Sequence, residues 1–173
     1  TTGTRNIAIG GNAYDSSDTE NDNLAIGHNA MTANTAGGTK NVAIGNYSLD
    51  VLTSGDDNVA VGYISLSANT TGSNNTALGS WSLTANTTGV SNTAVGTDSM
   101  DSNTDGNYNV AVGRKALCSN TTGLTNVGIG LTALNDNTTG TNNVAIGCGS
   151  MLDHSTGDSN VAVGVATLSN NTT

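Results

Sequence analysis

The chain alternates apolar and polar positions over short stretches, then repeats the whole pattern. Each unit opens with Asn, an aliphatic residue or Thr, a small residue, an aliphatic residue and Gly, as in Asn6–Gly10, Asn41–Gly45, Asn75–Gly79 and Asn160–Gly164. Ten such openings occur, 17 residues apart except for one 18-residue step between Asn23 and Asn41. Counting the opening Asn as position 1, positions 2 and 4 hold Ile, Leu, Val or Thr. Position 3 holds Ala except at Gly128, and position 9 holds Leu or Met except at Tyr14. Positions 12 to 15 tend towards Asn-Thr-Thr-Gly, as in Asn86–Gly89 and Asn120–Gly123.

This period converts into elements. Positions 2 and 4 point to one side of an extended strand and position 3 to the other. The Gly at position 5 permits a turn, a second short extended piece carries the Leu of position 9, and Asn-Thr-Thr-Gly supplies the closing turn. No window has a 3.6-residue period, so helices are not expected. The prediction is an all-β, parallel β-solenoid of ten coils, one coil per 17 residues, forming a single domain over 1–173. At about 4.8 Å per coil the rod would be roughly 48 Å long. The Val/Ile and Leu columns are predicted to form its dry interior. Asn at position 1 in every unit predicts a stacked hydrogen-bonded ladder, running through Asn58, Asn75, Asn92, Asn109, Asn126 and Asn143. The strip of small residues at position 3, including Ala60, Ala77, Ala94, Ala111 and Ala145, is predicted to lie on the outside. There it would face the symmetry axis of a closed homo-oligomer.

Two runs, Asn75-Thr76-Ala77-Leu78-Gly79 and Asn92-Thr93-Ala94-Val95-Gly96, with the Asn-Thr-Thr-Gly turns, resemble the repeats of phage and viral tail-fibre-like proteins. The pattern Asn-Val-Ala-Ile-Gly-x-x-Ser/Ala-Leu is also similar to the head repeats of trimeric autotransporter adhesins, which are usually shorter than 17 residues. The resemblance covers the entire chain. It implies a left-handed parallel β-roll assembled as a trimer on an outer surface, extracellular and belonging to a cell or a virion. It carries over no binding residues. Thr1-Thr2-Gly3 matches positions 13 to 15 and Asn171-Thr172-Thr173 matches positions 12 to 14, so the chain starts and stops in the same turn. Without a polar cap at either end, an uncapped segment of a longer array, or a filament stacked head to tail, is expected.

Composition narrows the partners. Of 173 residues, 26 are Asn, 28 Thr and 23 Gly, with no Pro or Phe, and only 10% are charged. Pro would interrupt a continuous ladder, and Phe would overfill so thin a coil. The net charge of −9 with four Lys and Arg excludes nucleic acid and disfavours anionic membranes. No apolar run approaches the ~20 residues of a membrane span. The acids are spread over the turns, with Asp136 and Asp153 as the one pair sharing a position in consecutive coils, so they suggest solubilising charge.

Little chemistry stands out. No paired carboxylates, nucleophile elbow, P-loop or His cluster is evident, so no enzyme, no cofactor and no clustered metal site is expected. An isolated calcium ion at Asp56-Asp57 stays open. Cys118 and Cys148 lie two coils apart, too far for a disulfide within the chain, and are expected as free thiols or contacts between chains. Eight sequons, at Asn46, Asn69, Asn74, Asn86, Asn120, Asn137, Asn170 and Asn171, are read as products of turn chemistry. Tyr47, Tyr63 and Trp81 fall on one turn of three successive coils. They are candidates for stacking on sugar rings or for packing against a neighbouring chain. The functional expectation is a non-catalytic extracellular fibre or adhesive segment, with itself, surface glycans or a host receptor as partners. The alternatives are an ice-binding solenoid using the Thr column at position 13 and, with no site to support it, a carbohydrate-cleaving β-helix.

Overall fold

The computed structural model describes residues 3–16, 19–33 and 37–170. Within them, positions 2 to 4 of each repeat form a three-residue strand. The ten are β1 (Ile7–Ile9), β2 (Leu24–Ile26), β3 (Val42–Ile44), β4 (Val59–Val61), β5 (Thr76–Leu78), β6 (Thr93–Val95), β7 (Val110–Val112), β8 (Val127–Ile129), β9 (Val144–Ile146) and β10 (Val161–Val163). All pair in parallel and in chain order, β1 to β10, in one sheet. The register stacks equal repeat positions, so that Ala77 lies over Ala94 and Leu78 over Val95. The molecule is thus a parallel β-solenoid with about 17 residues per turn. Nine steps of about 4.8 Å give a sheet about 43 Å long.

Each coil holds one strand, not the two expected. Positions 6 to 11 form turns, and the residue at position 9 sits in the left-handed region, as at Leu83 (φ 52°) and Leu117 (φ 51°). Among the described residues, 29 non-glycine residues have positive φ, between 48° and 62°. All fall at position 7, at position 9 or immediately before the opening Asn, so this is a property of the coil and not a local accident. A left-handed Leu costs about 1–2 kcal/mol. Burying its side chain returns about 1.5–3 kcal/mol. Hydrogen bonds from coil to coil persist through these turns, as in Leu83 N–H to Ser99 O (3.0 Å) and Trp81 N–H to Tyr63 O (3.0 Å). The ladder therefore runs well beyond the strands.

The interior reverses one expectation. Ala60, Ala77, Ala94, Ala111 and Ala145 are fully buried, in one cluster with the fully buried Leu or Met of position 9 and with Ala30, Ala116 and Ala133 of position 8. They do not form an outer strip and are not available to a symmetry axis. The Val and Ile columns at positions 2 and 4, expected inside, face outwards instead. Alternation along a strand separates two faces but does not say which one is inner. Here the rest of the coil decides. Leu at position 9 already fills the lumen, and only a methyl fits opposite it. The Gly at position 5 keeps the coils close. At Gly79 (φ 142°) an added Cβ would lie 2.6 Å from the Gly96 carbonyl oxygen.

Candidate functional site

Two asparagine ladders run through the buried interior. In the first, Asn58, Asn75, Asn92, Asn109, Asn126 and Asn143 are fully buried and linked in series. Asn109 donates its main-chain N–H to Asn92 Oδ1 (3.0 Å), and Asn109 Nδ2 donates to Gly123 O (2.8 Å). The second ladder uses position 12, whose Asn-Thr-Thr-Gly sequence carries the signature of a turn. Asn103 Nδ2 donates to Asn86 Oδ1 (2.8 Å) and to Gly106 O (3.1 Å). Recurrence of Asn-x-x-Gly at one phase was its signal. Leu52 and His154 interrupt this column, both fully buried. His154 Nε2 lies 2.9 Å from Gly157 O, where an Asn amide would sit. At that step Asn137 Oδ1 has no hydrogen-bond partner. These ladders hold the rod together, and their polar groups point inwards.

Three features face outwards. The first is the sheet face made by positions 2 and 4. Its columns contain only Ile, Leu, Val and two Thr over ten strands, with no charge. Most of these residues within the sheet are half-buried, with Leu78 and Ile146 the most exposed of β2–β9 at 38%, and Val161 at the end of the sheet is 67% exposed.

The second is an aromatic corner. The structure brings Tyr47, Tyr63 and Trp81 together and adds His28, whose imidazole extends the row by one coil. Successive ring centroids are 5.5 Å (His28–Tyr47), 6.2 Å (Tyr47–Tyr63) and 5.6 Å (Tyr63–Trp81) apart, each pair edge to face. Tyr63 and Trp81 are well exposed.

The third is polar. Arg5, Asp22, Lys40 and Asp57 each immediately precede the opening Asn of consecutive coils and alternate in sign. The Arg5 guanidinium bonds both carboxylate oxygens of Asp22, holding that carboxyl below its ordinary range. Tracking acids alone hid this pattern. Asp56 Oδ1 accepts from the N–H and the hydroxyl of Thr39, at 2.7 and 2.9 Å. No group of three or more His, Cys, Asp or Glu able to hold a metal occurs among the described residues.

The remaining candidates are used structurally or lie apart. Thr53, Thr70, Thr87, Thr104, Thr121 and Thr138, in the column considered for ice, each donate the hydroxyl to a backbone carbonyl of the adjoining coil at 2.9–3.2 Å. Ordering water calls for outward hydroxyls that are not already committed. Four of the sequon residues, Asn69, Asn86, Asn120 and Asn137, are buried in the second ladder. Asn46, Asn74 and Asn170 are exposed, and Asn171 lies outside the described residues. Cys118 and Cys148 are both free. Burial first, then the hydrogen bond to Asp101 Oδ1 (3.2 Å), pushes the Cys118 thiol up to about 12, so it stays protonated near neutral pH. Cys148 is exposed.

Compared with protein-family models, with curated proteins and with solved structures, the chain matches none.

Proposed function

We propose that this chain is a non-catalytic, extracellular rod segment of a fibre or adhesin, whose copies associate through the aliphatic sheet face. One observation carries the reading. An antiparallel or parallel sheet face in water is normally polar or covered by another layer. Here twenty outward positions on ten strands carry no charge and only two hydroxyls, Thr76 and Thr93. Contiguous apolar area of this kind marks an interaction surface. A closed arrangement of three copies, each a left-handed roll with this face towards the axis, is the assembly that the family resemblance favours. The axis is lined by Val and Ile and not by the buried Ala column. Acidic turns on the remaining sides would keep such a rod soluble.

The test is the mass of the assembly. Wild-type chain is expected to sediment as a multiple of 17.1 kDa, with a trimer as the specific expectation. Val110→Glu combined with Val144→Glu places two carboxylates on the outer face, two coils apart so that they are not stacked on each other, and is expected to give folded monomers. Because these side chains face outwards, circular dichroism should change little. A wild-type monomer at tens of micromolar overturns the assembly.

A further inference from the structure

We propose that the corner formed by His28, Tyr47, Tyr63 and Trp81 is a carbohydrate-binding stripe, taking an extended neutral polysaccharide that lies along the rod axis. The inference rests on the adhesive-rod reading and adds its ligand class. Three observations carry it. The four rings form an unbroken series over four consecutive coils, with centroids 5.5, 6.2 and 5.6 Å apart. That separation is on the scale of successive sugar rings in an extended chain. Successive planes are turned by 89°, 86° and 77°, so neighbouring rings cannot both lie flat against one surface. A flat sheet from another copy could therefore engage only some of them, whereas a jointed chain of sugar rings can tilt from one to the next. Finally, the phenol hydroxyls, the indole N–H and the imidazole nitrogens form no hydrogen bond with the described residues. Apolar faces beside unused polar edges match the amphipathic surface of a pyranose.

Charge agrees with a neutral ligand. Positions 6 and 7 of these four coils hold the four aromatics together with Asn29, Asn46, Ile64 and Ser80, none with a formal charge, in a chain of net charge −9. The stripe ends where Asp98 takes position 7 of the following coil.

Trp81 is the chain's one tryptophan, so its fluorescence reports directly on the site. Cellohexaose, chitohexaose, xylan and mannan, titrated separately, are the probes. At least one is expected to shift the emission and to show saturable binding by calorimetry. Binding to it should weaken tenfold or more in Trp81→Ala, read by calorimetry, and in Tyr63→Ala. Tyr63→Phe keeps the ring and removes the hydroxyl, and should retain most of the affinity. Sedimentation of the same samples separates the two readings. If wild-type rods assemble but bind none of the four probes, or bind unchanged after both alanine substitutions, the stripe is overturned and the rod stands. If Trp81→Ala breaks the assembly, the corner is a contact between chains and the carbohydrate proposal is likewise overturned.

Discussion

Two glycines show how differently single positions are constrained in this coil. Gly79 combines φ 142° with a would-be Cβ 2.6 Å from the next coil's carbonyl oxygen. Strain and clash add, so Gly79→Ala should cost about 3 kcal/mol or more. Gly149 has φ 64°, and an added Cβ would meet nothing within 4 Å. Trp81 and Lys115 adopt the same conformation at the equivalent position. Gly149→Ala should therefore stay within about 1 kcal/mol of wild type, since the lost freedom of the unfolded chain offsets the strain. Midpoints of guanidinium unfolding would compare the two, and equal losses would remove the close-approach account. The recurring Gly at position 5 announced a turn in the sequence, but not the packing distance behind it. The left-handed Leu at position 9 was not legible at all. Leu has no local reason to adopt that conformation, and the coil-to-coil hydrogen bonds and the burial that impose it come from the neighbouring repeats.

The strand and the ladder differ in the same way. The period located β1 to β10 within the repeat, because alternation and glycine are local signals. The inner face was misjudged, because it depends on what the remaining residues of the coil put into the lumen. Aliphatic bulk at Val59 and Val61 suggested core, whereas Ala60 between them is the residue that joins the buried leucines in the lumen. The position-1 ladder was visible as an Asn without exception. The position-12 ladder was obscured by Leu52, by His154 and by the resemblance of Asn-Thr-Thr-Gly to an ordinary turn. The two ladders should tolerate change differently. Asn109→Leu leaves the buried main-chain N–H of Asn126 without its acceptor, Asn109 Oδ1 at 2.9 Å. It also introduces a larger apolar group with no precedent at that position, and should cost about 3 kcal/mol. In Asn103→Leu, Gly106 O keeps the bond from Asn92 Nδ2 (2.8 Å) and Asn120 Nδ2 keeps Gly123 O. Leu52 already occupies the corresponding site, so the loss should be about 1 kcal/mol. Thermal unfolding of the pair, followed by circular dichroism, would reveal a reversed order if the second ladder were the principal one.

At the scale of the whole molecule, stability is a sum over coils and the contacts between neighbours. Removing residues 75–91 deletes one full period and brings Asn92 directly after Asn74, in phase with the coil before it. This shortened rod should unfold in one transition, only slightly below the parent. Removing 75–92 takes one residue more. It leaves a 16-residue coil without its ladder Asn and turns Val95 towards the lumen, and should lower the melting temperature sharply or split the transition. Matching melts for the two deletions would mean that phase is unimportant. Length is thus free to vary in whole units, while register is not. A different consequence follows from the direction of the backbone bonds, which join coil to coil and so lie along the rod. Tension applied to the ends loads them a coil at a time and not as a block. A coil that contributes about 4.8 Å to the rod releases 17 residues, up to about 56–61 Å of extended chain. Under load such a rod would yield by stepwise lengthening, roughly twelvefold per coil, and dissipate work as an extensible tether before the covalent chain came under strain.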